Sequence, residues 1–185
     1  MEAFESFVAL SMAKEGLVVS GATKFMVKRK TKKAVYEEYQ NHGYEVDLVG
    51  ARSDRLVLAT VKSFFGSIGV RPKEVSGESA TAGASGYKIL NDPELRDSII
   101  KEACLTYGYK QDQVELRLYA GKFAGKNGEK EIREWAATQI VGSGPIRIFG
   151  VKEVVADVKA LAASKTYVDN PALVAVKVLA YAETL

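Results

Sequence analysis

The segment 43–66, GYEVDLVGARSDRLVLATVKSFFG, constrains the fold more than any other part of the chain. Two apolar runs, the second rich in Val, Leu and Phe, flank a short stretch of Gly, Ser and Asp, the residue types that favour turns. This pattern predicts two strands joined by a turn over residues 50–55, with the second strand over residues 56–64. The other elements of the chain can be placed around this hairpin.

Charged side chains interrupt the first apolar run. Because successive side chains of a strand point to opposite faces, Glu45, Asp47 and Val49 are expected on one face of the strand. Val46 and Leu48 are expected on the other face. Two carboxylates therefore share one side of the predicted sheet.

The second run contains a lysine, Lys62, on the same side as Thr60. A lysine in so apolar a segment needs an anion, because burying an unpaired ammonium group is costly. Asp47 on the neighbouring strand is the nearest candidate. We therefore expect Asp47 and Lys62 to lie in one cluster on adjacent antiparallel strands.

An acid on one strand, followed by a hairpin and an acid-x-Lys triplet, resembles the motif of the PD-(D/E)xK nuclease superfamily, which has the restriction-endonuclease-like fold. Asp47 matches the first acid of this motif and Lys62 matches the lysine. Thr60 stands where the second acid of the family would be. The resemblance covers about the first third of the chain in detail and the remainder only as an order of elements.

The resemblance implies a catalytic site made of Asp47, Lys62, Glu45 and Glu5, with Mg²⁺ as the cofactor. In the family the acids hold a divalent metal, the lysine orients or activates water, and a glutamate from the preceding helix often adds to the site. That glutamate would be Glu5, so the implied metal ligands are Asp47, Glu45 and Glu5. A first-turn glutamate is equally well explained by its interaction with the helix dipole.

Thr60 is the main argument against catalysis, because a neutral hydroxyl is a far weaker magnesium ligand than a carboxylate. In one case another acid replaces the carboxylate missing at Thr60, and Glu45 is favoured because it shares a strand face with Asp47. In the other case the site has lost catalysis, and Asp47 and Lys62 are a structural ion pair.

The composition narrows the chemistry further. The chain has one cysteine, Cys104, and one histidine, His42. These two residues exclude a disulfide framework and a zinc site built from their side chains. A metal would therefore be held by oxygen ligands. The chain has no apolar run of membrane-spanning length, and its acidic N-terminus is unlike a signal peptide, so we expect no membrane association and a cytoplasmic location. The net charge of +3 says little about partners.

The distribution of charge says more, because residues 24–33 contain six basic residues and no acid. The predicted nucleic-acid contacts in this block are Lys28, Arg29, Lys30, Lys32 and Lys33. A solvated hairpin explains the same block equally well.

Residues 66–92 lack periodicity and predict a long mobile loop that begins beside the site. Arg71, Lys73 and Lys88 of this loop are expected to meet phosphates.

The remaining patterns predict an ordered series of helices and strands. Asp92 and Pro93 begin a helix to about Tyr107, and a strand over residues 114–119 alternates so that one side faces water or a partner. A helix through about Val141, a strand over residues 146–149 and two further helices follow. The whole predicts an α/β fold, a mixed β-sheet flanked by helices, with a restriction-endonuclease-like core.

Residues 1–150 are expected to form this α/β domain, and residues 151–185 a C-terminal helical hairpin packed on it, which either closes the core or makes a homodimer contact. The function placed first is a metal-dependent nuclease acting on DNA, or on RNA. The second alternative is a non-catalytic nucleic-acid-binding module on the same fold. The third alternative is a protein-interaction domain.

Overall fold

The structure is a computed structural model that describes residues 2–30, 39–79, 82–165 and 168–184. The N-terminal third is a helix followed by a three-stranded meander, whose second and third strands form the predicted hairpin. Its elements are α1 (Ala3–Lys14), β1 (Val18–Lys30), β2 (Tyr39–Arg52) and β3 (Arg55–Lys62). Gly16, with a left-handed φ of +81°, follows α1 and turns the chain into β1.

The segment between β3 and the next long helix contains three short helical turns rather than the predicted mobile loop over residues 66–92. Their buried side chains Val75, Tyr87 and Leu90 anchor the segment to the core. These anchors are too irregularly spaced to produce a periodic pattern in the sequence. The elements are α2 (Pro72–Val75), a 3₁₀ helix (Ala82–Tyr87), α3 (Lys88–Asn91) and the long helix α4 (Pro93–Tyr107).

The C-terminal half alternates strands and helices. Its elements are a 3₁₀ turn (Gln111–Gln113), β4 (Val114–Ala120), α5 (Gly128–Thr138), β5 (Ile140–Val141), β6 (Gly144–Pro145), β7 (Arg147–Gly150), α6 (Val151–Ala163) and α7 (Pro171–Ala182). Helix α5 ends earlier than predicted because Ile140 and Val141 pair with β6 in a small separate sheet. In the part of the chain described here, every helix is too short or too polar to span a bilayer.

The main sheet has five strands in the order β1-β2-β3-β4-β7. The pairs β1–β2 and β2–β3 are antiparallel, and the pairs β3–β4 and β4–β7 are parallel. This arrangement confirms the predicted α/β class with a mixed sheet flanked by helices. Because the last three strands are parallel, their carboxyl ends meet at one edge of the sheet.

Helices cover both faces of the sheet. On one face Phe4 and Val8 of α1 pack with Val57 and Val61 of β3. On the other face α4 and α5 pack against the cluster that contains Leu58. The sheet is therefore the middle layer between two apolar layers.

Val46 and Leu48 do not share a face as predicted. Val46 packs with Phe25 in one core cluster, whereas Leu48 belongs to the other. Opposite this part of β2, Ala22 has a left-handed φ of +49°, which interrupts the regular pleat of β1. A simple period of two therefore fails at this position.

Strand β4 was expected to expose one side, but all seven of its residues are buried. Arg117 is 0% exposed and donates hydrogen bonds to Glu15 at 2.6 and 2.8 Å, to Tyr119 Oη at 2.9 Å and to Glu115. Arg147 of β7 also contacts Glu115, at 3.1 Å. Polar side chains of β4 are thus buried because distant parts of the chain supply their charge partners.

Candidate functional site

The predicted pairing of Asp47 with Lys62 is present. Lys62 Nζ lies 3.8 Å from Asp47 Oδ2, and the two side chains are 22% and 23% exposed. The same Asp47 oxygen accepts a hydrogen bond from the backbone N–H of Val61 at 2.7 Å. This bond lies just beyond the last paired residues of the two strands, Leu48 and Ala59, so a side chain continues the contact where the ladder stops.

The pair lies in a cavity of about 330 Å³ between the sheet and the segment that precedes α4. The sheet contributes Tyr44, Glu45, Asp47, Thr60 and Lys62, and the helical layer contributes Ser85, Gly86, Lys88, Ile89, Leu95 and Ile99. Two carboxylates and two lysines therefore line one space. Sequence reasoning included Lys88 among the phosphate contacts but missed Ser85, which lies in a stretch without any periodic signal.

Tyr87 supports Lys62 from the helical layer. Lys62 Nζ lies 5.9 Å from the centroid of the Tyr87 ring, within the range of a cation–π interaction. The ring is buried, and its hydroxyl has no hydrogen-bond partner in the described parts of the chain. Burial, followed by the charge of Glu74, raises the pKa of Tyr87 above its ordinary value, so the phenol stays neutral.

The other two sheet residues of the site differ in exposure. Thr60 is only 5% exposed and presents a neutral hydroxyl in the place where the resemblance calls for an acid. Glu45 faces Lys24 across the β1–β2 ladder, at 3.9 Å between Oε2 and Nζ, with both side chains half exposed or more. Such an exposed pair is weak, so the Glu45 carboxylate is available to other cations.

Glu5 is placed outside the cavity. Its Oε2 accepts a hydrogen bond from the backbone N–H of Glu2 at 2.9 Å, which caps the start of α1. Its neighbour Phe4 packs with Val61 on the face opposite α4. The helix-terminus explanation of Glu5 therefore accounts for its position, and Glu45, Asp47, Thr60 and Lys62 are the residues brought together.

The basic block on β1 serves several different contacts. Arg29 donates to Tyr44 Oη at 3.3 Å and to Asp92 at 3.2 Å, so it ties β1 to the start of α4. Lys28 is exposed, with Nζ 5.3 Å from the ring centroid of Tyr39. Lys30 is exposed as well. The last two predicted contacts in this block, Lys32 and Lys33, lie outside the described residues.

The two predicted contacts that precede the cavity segment do not line the cavity. Arg71 pairs with Glu74 at 3.2 Å, and Lys73 is exposed on α2. Of the basic residues predicted in segment 66–92, Lys88 is the one that the structure places at the cavity.

Comparison of the chain with protein-family models, with curated proteins and with solved structures found no match in any of the three.

Proposed function

We propose that the protein is a metal-dependent nuclease that hydrolyses phosphodiester bonds in DNA or RNA. The observation that carries the proposal is the contact of Asp47 with Lys62 in a cavity that Glu45 also lines. Carboxylates that can hold a cation and a lysine that can hold a phosphate lie in the same space. The element order also supports it, because a helix, an antiparallel meander, a second helix and a parallel strand agree with the restriction-endonuclease-like core.

The donor set fits magnesium. Proteins usually hold Mg²⁺ through one or two carboxylates, with water and substrate phosphate completing the octahedron. Asp47 Oδ1 has no hydrogen-bond partner among the described residues, and the weakly paired Glu45 carboxylate lines the same cavity. These two residues would hold the ion. When bound, magnesium would neutralise phosphate charge and lower the pKa of water.

The residues around the ion have distinct tasks. The hydrogen bond from Val61 fixes the Asp47 carboxylate, so that Oδ1 is held in place for the cation. Lys62, held between Asp47 and the Tyr87 ring, presents a positive charge to the scissile phosphate and orients the attacking water. Lys88 on the opposite wall adds a second positive charge. Both lysines would stabilise the charge that develops on the phosphate in the transition state.

A non-catalytic nucleic-acid-binding module is the second candidate, and a specific observation favours it. Within the described ranges no three His, Cys, Asp or Glu side chains are grouped closely enough to hold a metal together. Thr60, buried beside Lys62, supplies no carboxylate to complete such a group. On this account Asp47 neutralises Lys62, and the cavity holds phosphate without reaction.

Metal binding separates the two candidates. Titration calorimetry with magnesium and with manganese should show binding to the wild type and none to Asp47→Ala, if the protein is the proposed enzyme. In that case Thr60→Glu should increase the affinity for the metal only slightly. Binding that appears only in Thr60→Glu would favour the binding module, and no binding in either protein would contradict a metal site at Asp47.

We also propose that two copies of the chain pair through α7. Leu173 is its only buried residue, whereas Val178 and Tyr181 are 61% and 67% exposed and lie on one side of the helix. Monomers rarely expose an apolar stripe of this kind, and pairing about a two-fold axis would bury the stripe of each copy. Sedimentation equilibrium should show a dimer that Val178→Glu dissociates. A monomeric wild type at all concentrations would contradict this pairing.

A further inference from the structure

A second cavity, of about 260 Å³, lies at the carboxyl ends of β4 and β7. Three exposed lysines line it, two from the loop between β4 and α5 and one from the first turn of α6. The lining consists of Gly121, Lys122, Phe123, Gly125, Lys126, Glu129, Gly150, Val151, Lys152 and Glu153. We call Lys122, Lys126 and Lys152 the edge lysines.

The second cavity adjoins the Asp47–Lys62 site through the sheet itself. The backbone N–H of Gly121 donates to the backbone oxygen of Lys62 at 2.8 Å. Because β3, β4 and β7 are parallel and neighbouring strands lie about 4.8 Å apart, their carboxyl ends span about 10 Å of one edge. Gly121 also has no space for a side chain, since a Cβ there would overlap the backbone oxygen of Ser63. The two cavities are therefore held in a fixed relation.

The two glutamates in the lining offset only part of the charge of the edge lysines, because both of them pair with Arg133. Arg133 donates to Glu129 and to Glu153, each at 2.8 Å. Glu153 also accepts from the backbone N–H of Gly150, so the start of α6 is already capped. The positive charge of this cavity therefore comes from the lysines rather than from a helix terminus.

The edge lysines retain donors for a ligand. Lys122 gives one hydrogen bond to the backbone oxygen of Ser67, at 2.7 Å, and an ammonium group has three donors. Within the described residues, Lys126 and Lys152 have no ion-pair partner within 4 Å. Three cations that line one cavity reinforce one another's attraction for a polyanion.

From this arrangement we propose that the edge lysines bind the backbone phosphates of the nucleic-acid strand whose scissile phosphate enters the Asp47–Lys62 cavity. This inference rests on the proposed function. Phosphates of one strand advance by about 3.4 Å along a duplex axis, so an edge of about 10 Å is long enough to contact more than one of them. The strand crosses the ends of β3, β4 and β7 in turn. The edge lysines fix its register, and Lys62 contacts the reacting phosphate.

The test is the salt dependence of nucleic-acid binding, measured by fluorescence anisotropy with labelled single-stranded DNA, duplex DNA and single-stranded RNA in EDTA. The protein in which Lys122, Lys126 and Lys152 are all replaced by alanine should lose about 2 from the slope of log affinity against log salt on single-stranded DNA. A control with alanine at Lys101, Lys110 and Lys159 removes the same charge from exposed positions elsewhere and should keep the wild-type slope. Circular dichroism melting verifies that all variants are folded.

A wild-type slope in the edge-lysine variant, or an equal loss in the control, would overturn the inference while leaving the proposed function intact. A wild-type protein that binds none of single-stranded DNA, duplex DNA and single-stranded RNA at low salt would contradict the proposed function as well. A loss of slope confined to the edge-lysine variant supports the inference.

Discussion

The side chain of Asp47 accepts a hydrogen bond from the backbone N–H of Val61, with 2.7 Å between Oδ2 and the nitrogen. This bond is made where the ladder between β2 and β3 ends, and it places the carboxylate beside Lys62. One residue therefore joins the two strands and supplies the principal anion of the candidate site. Its structural and chemical roles can be separated by substitution.

We predict that Asp47→Ala lowers the free energy of unfolding by about 1 to 3 kcal/mol, because it leaves the Val61 N–H without its partner in a partly buried position. Asp47→Asn keeps an oxygen acceptor and should lose less. Guanidinium denaturation of both variants measures the difference. Equal stability of Asp47→Ala and the wild type would mean that the hydrogen bond contributes nothing to the fold.

The second prediction concerns the buried charge cluster on β4. Arg117→Met should destabilise the protein by about 3 kcal/mol, since it leaves the carboxylates of Glu15 and Glu115 without their buried counter-charge. Arg147→Met is the matched control, because Arg147 is about half exposed and its ion pair with Glu115 should be worth less than about 1 kcal/mol. Thermal and urea denaturation of the two variants measure this contrast. Similar losses in both would show that burial of Arg117 is not the source of the effect.

The same cluster predicts a dependence of stability on pH. Burial by itself would raise the pKa of Glu15, but the hydrogen bond and charge of Arg117 hold that pKa below its ordinary value. A lowered folded-state pKa means that the stabilisation is fully present above the unfolded-state pKa of about 4.3 and is lost as the pH falls through the folded-state pKa. Glu15→Gln should therefore be less stable than the wild type at neutral pH.

That difference between Glu15→Gln and the wild type should shrink as the pH is lowered below about 4. Urea denaturation at a series of pH values measures it. Asp157, whose pKa is also lowered because Lys14 and Ser11 outweigh its burial, is present in both proteins, so its contribution cancels. A difference that stays constant or grows on acidification would contradict the assignment to Glu15.

Most of the features that could be predicted depend on short sequence patterns, such as helix caps and alternating strands. The capping of α4 by Asp92, which accepts from Leu95 N at 3.1 Å, and the contact of Asp47 with Lys62 both follow from neighbouring residues and strand pairing. The cluster around Arg117 could not be predicted, because its partner Glu15 lies 102 residues away. Apolar and polar residues do alternate along β4, and this pattern predicted that one side of the strand faces solvent. In the structure the polar residues are buried against α1 and β7.

The cavity wall was missed for a related reason. Residues 82–91 carry Gly, Ser and Ala without period, and their position over the sheet depends on buried anchors such as Tyr87. Glu5 shows the opposite case, in which two explanations fitted one residue and local capping accounts for its contact. A pattern in sequence indicates which residues belong to an element but not which distant residues will cover it.

Tyr87 provides a fourth prediction. Its buried hydroxyl lacks a hydrogen-bond partner, so Tyr87→Phe should keep the ring beneath Lys62 and leave stability unchanged or raise it by up to about 1 kcal/mol. Tyr87→Leu, which removes the ring, should instead destabilise the protein. A clear loss of stability in Tyr87→Phe, measured by thermal unfolding, would mean that the hydroxyl makes a stabilising contact.

Cleavage of labelled nucleic acid with magnesium, compared between the wild type and Asp47→Asn, tests the central claim most directly. Asparagine keeps the acceptor for the Val61 N–H but removes the charge that would hold the cation, so the fold is retained while the chemistry is altered. We expect magnesium-dependent cleavage by the wild type, abolished by EDTA, and a loss on the order of 100-fold or more in Asp47→Asn. No cleavage of single-stranded or duplex DNA or RNA by the wild type, or equal cleavage by Asp47→Asn, would contradict a phosphodiesterase site at Asp47 and Lys62.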